Sequence, residues 1–168
     1  MTYLAVFDWN GTLFDDTPAT HIATNACLRS FGRPEIDVHT MQETFMFPLI
    51  HFYEKMGVPP DEYLARASDE GNTYIEAYEP ASLDCCVMEG AFELLAWLNE
   101  HNVHCMILSN HLQPCLDADV ARLGITPYMK HVSGNLEKAT LTQGLSKQIR
   151  LEAYMKEHGL TANKAFII

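Results

Sequence analysis

The residues best suited to chemistry lie near the amino terminus, where an apolar run ends in polar and acidic side chains. Residues 3–16 read YLAVFDWNGTLFDD, so Asp8 directly follows the run. A continuous apolar stretch of this length predicts a strand buried on both faces of a parallel sheet. Asp8 would then lie at the carboxyl end of that strand, where α/β proteins bind ligands. A carboxylate there can act as a nucleophile or a metal ligand, and Gly11 permits a sharp turn that presents backbone amides to an anion.

Residues 8–13 read DWNGTL, and this segment resembles the first motif of the haloacid dehalogenase-like hydrolases, an apolar strand followed by Asp-x-Asp-Gly-Thr and then Leu or Val. One residue departs from the motif, because Asn10 stands where the family's phosphatases have a second Asp. Asn10 keeps its backbone carbonyl, but its side-chain amide cannot give or take a proton at neutral pH.

A second apolar run, VHCMIL at residues 103–108, is followed by Ser109 and Asn110. This order is similar to the family's second motif, a strand that ends in Ser or Thr and often Asn. A hydroxyl and a backbone amide at a strand end can both bond a phosphoryl oxygen. The alternative is that Ser109 only caps a helix predicted over residues 112–123.

The family's third motif is a lysine before a helix, and two lysines compete for it. Lys147 precedes the helical pattern IRLEAYMKEHG and the apolar strand KAFII, in the order that the family uses. Lys138 lies farther ahead of that helix, so we prefer Lys147. Either lysine could instead be an ordinary surface residue, since Gln148 replaces the Pro that often follows the family's lysine.

The pattern along the chain is strand, helices, strand, helix, strand, helix, strand, which predicts an α/β fold with a doubly wound, Rossmann-like parallel sheet. Helical stretches are predicted at residues 17–31, 38–45, 48–56 and 60–78, with Thr17 as a cap and Pro80 as a break. We therefore expect a core domain of residues 1–15 and 86–168. Residues 16–85 would form an inserted helical domain, which resembles the small helical cap of the branch of that family that includes phosphoglycolate phosphatases.

The family's fourth motif, a pair of acids after the next strand, has no counterpart here. The sequence reaches Ile168 within the strand that should precede those acids. We therefore expect that the C-terminal part of the core domain is missing from these residues.

The resemblance implies a magnesium-dependent phosphatase in which Asp8 attacks phosphorus and carries an aspartyl-phosphate. It implies that the Asp8 carboxylate and the backbone carbonyl of Asn10 hold Mg²⁺, and that Asn10 and Lys147 complete the catalytic set. The implied phosphate-binding residues are Trp9, Thr12, Ser109, Asn110 and Lys147. Without a second Asp, the enzyme should be slow on alkyl phosphates, since general acid–base help is worth about 10²–10⁴-fold.

Asn10 leaves other functions open. The chain could be a weakly active or inactive relative that binds phosphorylated metabolites or a protein partner, and Asn10 could also be an engineered substitution. A third reading is a C–P or C–halogen hydrolase of the same family. For the C–P reaction, Lys55 is the one Schiff-base candidate, because residues 16–85 contain no other lysine.

Composition limits the possible partners. The formal net charge of −11 disfavours binding to a nucleic-acid backbone, so we expect a small phosphorylated metabolite as the partner. The five cysteines have no zinc-type spacing, and their odd number argues against a disulfide framework. No long apolar run or secretory leader is evident, which predicts a cytoplasmic protein without a membrane segment. No feature of the sequence specifies an oligomeric state.

Overall fold

The computed structural model describes residues 2–136 and 145–168. Contacts divide the chain into two compact units, one formed by Met1–Asp15 and Cys86–Ile168 and the other by Asp16–Cys85. The strands are β1 (Tyr3–Phe7), β2 (Phe14–Asp15), β3 (Cys86–Val87), β4 (Val103–Leu112), β5 (His131–Asn135) and β6 (Ala165–Ile167). The helices are α1 (Thr17–Ser30), α2 (Val38–Thr44), α3 (Leu49–Lys55), α4 (Pro60–Ser82), α5 (Ala91–Glu100), α6 (Gln113–Arg122) and α7 (Leu145–Glu157).

The first unit is built on a four-stranded sheet with the order β5-β4-β1-β6. Every neighbouring pair in this sheet is parallel. From β1 the chain moves outward to β4 and β5, and then returns to place β6 on the opposite side of β1. The α/β fold with a parallel sheet and a helical insertion is therefore confirmed.

Alternation along the strands explains how α7 packs against this sheet. Leu4 and Val6 of β1 lie two residues apart and share a face, as do Met106 and Leu108 of β4. These four side chains form one buried cluster with Tyr154 of α7. The remaining members of the cluster, which are partly buried, are Leu151, Met155, Leu160 and Ala165.

Two details of the first unit differ from the sequence-based expectation. Strand β4 was expected to end at Leu108, but it continues through Ser109 and Asn110 to Leu112, with an irregular register between Leu108 and Leu112. The short antiparallel pair of β2 and β3 was not expected. Two-residue strands carry too little hydrophobic pattern to be recognised in a sequence.

The second unit contains α1 to α4 around its own apolar core. Two local predictions for it are wrong. Asp16, not Thr17, is the cap residue of α1, and its carboxylate accepts hydrogen bonds from Tyr78 Oη at 2.8 Å and Thr20 Oγ1 at 3.2 Å. Helix α4 does not break at Pro80 but continues to Ser82, because a proline in the last turn removes only one hydrogen bond near the helix end.

The buried members of the second unit's core are Cys27, Leu28, Phe31, Phe52, Tyr53 and Val58. Lys55, the candidate for Schiff-base chemistry, is the last residue of α3 and is exposed. Within the described ranges, no helix combines the length and the hydrophobicity needed to cross a membrane.

Candidate functional site

Asp8 follows β1 at the point where the order of the sheet reverses. Its backbone N–H donates to the carbonyl of Ile168 at 3.1 Å, so the first residue after β1 is hydrogen-bonded to the end of β6. In open α/β sheets the crevice beyond the carboxyl ends of the strands at such a reversal is the usual ligand site. The Asp8 side chain is 44% exposed, which leaves it accessible to a ligand.

The loop after Asp8 is folded by its own backbone. The Trp9 carbonyl accepts hydrogen bonds from the amides of Thr12 at 3.2 Å, Leu13 at 3.1 Å and Phe14 at 3.0 Å. Gly11 has φ of +70°, a conformation that other residues rarely adopt, and its N–H donates to the Phe14 carbonyl at 2.9 Å. The predicted sharp turn is therefore present, and the Thr12 amide is used within it.

Trp9 is part of the core rather than of the surface of the site. Its side chain is fully buried and stacks on Phe14 with ring centroids 5.3 Å apart. Its backbone N–H donates to Asp8 Oδ1 at 2.7 Å. Any contact of Trp9 with a phosphate would therefore come from this amide, whereas Asn10, the next residue, is exposed.

Lys147 forms an ion pair with Asp8, with 2.9 Å between Nζ and Oδ1. Its side chain is 28% exposed. Contrary to expectation, Lys147 does not precede the helix but lies within α7, as its third residue. The competing candidate, Lys138, lies outside the described residues.

Ser109 is 1% exposed, and its Oγ accepts a hydrogen bond from the backbone N–H of His111 at 3.0 Å. The capping alternative for Ser109 is wrong, because Leu112 occupies the cap position of α6. Since Phe7 pairs with Ile107, Ser109 lies at the same end of the sheet as Asp8. No hydrogen bond between described residues joins Ser109 to Asp8 or Lys147.

Asn110 contributes a second polar group at this end of the sheet. Its backbone carbonyl accepts a hydrogen bond from Asn135 Nδ2 at 2.9 Å, which ties β4 to the end of β5. Its side-chain Oδ1 is buried and has no hydrogen-bond partner in the described ranges. A buried acceptor of this kind usually finds a partner, which can be a water molecule or a ligand group.

Sequence reasoning missed Arg150, which lies one helical turn after Lys147. Its guanidinium donates to the carbonyl of Ser109 at 2.8 Å, to Ser133 Oγ at 3.0 Å and to the carbonyl of Gly134 at 2.6 Å. Burial lowers the pKa of Arg150 from its usual high value, but arginine remains charged at neutral pH. One side chain thereby connects α7 with the carboxyl ends of β4 and β5.

Gly134 was also missed, and its signal was a glycine inside a strand, which often marks a close approach of another backbone. A Cβ at this position would lie 2.8 Å from the carbonyl oxygen of His111 and 2.9 Å from Gln113 Cα. The strand end can approach the start of α6 this closely only with glycine. Gln113 stabilises the contact between β5 and the start of α6, because its Nε2 donates to the carbonyl of Val132 at 3.3 Å.

The family model described as "Haloacid dehalogenase-like hydrolase" matches residues 5–168. No curated protein matches the chain at a significant level. A haloacid dehalogenase-like hydrolase from Streptococcus pneumoniae superposes with a TM-score of 0.75 at 18% identity, over 99% of this chain and 74% of the other. A predicted phosphatase from Clostridium acetobutylicum gives 0.76 at 18%, over 99% and 76%. A predicted phosphoglycolate phosphatase from Haemophilus somnus gives 0.68 at 14%, over 99% and 76%.

Proposed function

Because the chain belongs to the haloacid dehalogenase-like hydrolases, we propose that it hydrolyses a small phosphate ester with Asp8 as the nucleophile. The observation that carries this proposal is the contact between Lys147 Nζ and Asp8 Oδ1 at 2.9 Å. A carboxylate and an ammonium group meet at the ligand-binding end of the sheet although they are distant in the sequence. The ammonium can offset the charge of an incoming phosphate, which the carboxylate alone would repel.

In the proposed reaction one Asp8 oxygen attacks phosphorus, and the bond from phosphorus to the ester oxygen breaks. The resulting aspartyl-phosphate is then hydrolysed by water, which releases phosphate and restores the carboxylate. The Trp9 amide and Lys147 both contact Oδ1. These contacts orient the carboxylate and leave its second oxygen without a hydrogen-bond partner among the described residues. Lys147, Ser109 and Asn110 would contact the phosphoryl oxygens.

The donor atoms near Asp8 fit Mg²⁺. This ion prefers oxygen ligands, keeps several waters and needs only one or two protein groups beside the substrate phosphate. The Asp8 carboxylate and the backbone carbonyl of Asn10 would supply those groups. When bound, Mg²⁺ would neutralise part of the negative charge shared by carboxylate and phosphate.

Asn10 decides which substrates would react well. An alkoxide leaving group needs a proton when its bond to phosphorus breaks, and an amide cannot supply one. General acid catalysis contributes about 10²–10⁴-fold, so turnover of alkyl phosphates should be slow. The rate of hydrolysis of acyl phosphates and phenyl phosphates should be reduced less, because their leaving groups are stable as anions.

We further propose that residues 16–85 act as a cap domain. A cap domain excludes water during phosphoryl transfer and favours small phosphorylated metabolites over protein substrates. Three solved structures similar to this chain are of proteins described as phosphatases or as a hydrolase, which is consistent with a phosphate ester as substrate.

The test is phosphate release in the presence of Mg²⁺ by the unsubstituted protein and by its Asn10→Asp variant. Phosphoglycolate, a sugar phosphate and p-nitrophenyl phosphate serve as substrates, and Asp8→Asn serves as the inactive control. We expect Asn10→Asp to be at least about tenfold faster on the two alkyl phosphates, with a smaller gain on p-nitrophenyl phosphate.

The competing function is a relative that binds phosphorylated metabolites without turnover, which Asn10 favours. It predicts no Mg²⁺-stimulated release from any of the substrates, together with thermal stabilisation by the same compounds. That combination of results in both the unsubstituted protein and Asn10→Asp would replace the phosphatase proposal.

A further inference from the structure

Arg150 lies in α7 three residues after Lys147, so the two side chains share one face of the helix. Lys147 extends to Asp8, beyond β1, whereas Arg150 bonds groups at the ends of β4 and β5. One helical turn therefore contacts three adjacent strands of the sheet. The acceptors of Arg150 described above are two backbone carbonyls and one hydroxyl, and none of these three belongs to Asp8 or its loop.

The other contacts of α7 with the sheet in the described ranges include Tyr154. It packs among apolar side chains of β1 and β4 and stacks on His131 of β5 with ring centroids 4.8 Å apart, and the outer members of the cluster are also apolar. Hydrophobic packing of this kind holds a helix against a sheet but is non-directional. The guanidinium, in contrast, has rigid planar geometry, and its charge-assisted hydrogen bonds constrain both distance and angle.

We propose that Arg150 is a positioning residue that sets the rotation and translation of α7 and thereby brings Lys147 to Asp8. This inference rests on the proposed function, in which Lys147 stabilises the transferring phosphoryl group. Arg150 also donates a hydrogen bond to the Ser109 carbonyl. The same side chain therefore orients the peptide between Ser109 and Asn110, which are both candidate phosphate-binding residues. A displacement of about 1 Å in a catalytic group can cost about 10²-fold in rate.

The experiment is a double-mutant cycle with Arg150→Met, Lys147→Met and the double variant, measured on p-nitrophenyl phosphate with Mg²⁺. We expect Arg150→Met to lower kcat by about 10- to 100-fold. If Arg150 acts chiefly through Lys147, adding Arg150→Met to Lys147→Met should lower kcat much less than Arg150→Met alone does. Lys156→Met is the matched control, since it removes a positive charge from the exposed end of the same helix and should leave kcat unchanged.

A purely structural role for Arg150 predicts a different result. The losses of the two single variants would then multiply in the double variant, which would overturn the proposal. If Arg150→Met fails to fold, Arg150→Lys takes its place in the cycle, because it keeps the charge but loses the planar fork.

A second measurement separates this proposal from the proposed function. The NMR resonance of the Lys147 side chain is compared between the protein with Asp8 and its Asp8→Asn variant. Lys147→Arg is used to assign the signal. If Arg150 positions Lys147, the resonance shifts in the unsubstituted background and shifts much less in the Arg150→Met background. Equal shifts in both backgrounds would overturn the proposal. If the unsubstituted protein releases no phosphate, the proposed function fails, and the NMR result alone decides the role of Arg150.

Discussion

Replacing Lys147 by Met should remove catalysis while leaving the fold nearly intact. The ion pair with Asp8 is well formed at 2.9 Å, but the two side chains are 28% and 44% exposed. Ion pairs with this much solvent contact contribute about 0–1 kcal/mol to stability. For a chain of this length, 1 kcal/mol corresponds to a change of about 2–4 °C in Tm, so Lys147→Met should lower Tm by no more than about 4 °C.

The catalytic effect of the same change should be much larger. If Lys147 stabilises charge that develops on the phosphoryl oxygens, its loss resembles the removal of one oxyanion-stabilising donor, which costs about 10²–10³-fold in kcat. The assay is steady-state phosphate release with Mg²⁺ and p-nitrophenyl phosphate, combined with thermal unfolding of the same protein samples. Lys147→Arg keeps the positive charge and should retain more activity than Lys147→Met.

Lys156→Met again provides the control, because it makes the same change of residue type in the same helix. It should leave both kcat and Tm nearly unchanged. The reasoning would be refuted if Lys147→Met retained full kcat, or if it lost more than about 8 °C in Tm, twice the upper estimate for an exposed pair. In the second case the ion pair would be chiefly a structural contact.

Two further predictions concern stability. Gly134→Ala should destabilise the chain by about 1–3 kcal/mol in chemical unfolding, because its Cβ would lie 2.8 Å from a backbone oxygen; an unchanged unfolding midpoint would contradict the close packing seen there. Burial, together with nearby Lys130 and His158, lowers the pKa of His104 from the ordinary 6.5. Burial also lowers the pKa of His131 from the same value. As the pH falls, these two histidines therefore bind protons in the unfolded chain before they do so in the folded chain. Their contribution to the free energy of unfolding is complete above about pH 6.5 and is lost as the pH falls through the folded-state pKa values. The Tm from thermal unfolding should be lower at pH 5.0 than at pH 7.5, and His131→Gln should reduce this difference.

The sheet and the first motif could be predicted because their signals are local and strong. The apolar run before Asp8 and the turn at Gly11 follow from residue type alone. Element ends were less predictable. Strand β4 continues past Leu108 because its partner β5 provides further pairing, and this outcome depends on tertiary contacts, which no local pattern contains. Helix α4 continues past Pro80 because a proline in the last turn removes only one hydrogen bond near the helix end.

Arg150 shows why part of the candidate site was not visible in the sequence. Two of the partners described for it are backbone carbonyls, which every residue type provides. A pattern of residue types therefore has nothing to match at the acceptor positions. Lys147 could be selected because a helical pattern and an apolar strand follow it along the chain, although the helix itself begins earlier, at Leu145. The pairing of Arg150 with two strand ends, in contrast, appears only after the sheet has formed.

The effect of Asn10 on chemistry can be separated from its effect on structure. The turn that presents this residue is built from backbone hydrogen bonds of Trp9, Gly11 and Phe14 and from the buried Trp9 ring. Asn and Asp are nearly the same size, and position 10 is exposed, so exchanging them should leave the turn and the ion pair of Asp8 in place. A rate gain in Asn10→Asp without a change in Tm would therefore report proton transfer to the leaving group, and the gain should grow as the leaving group becomes more basic.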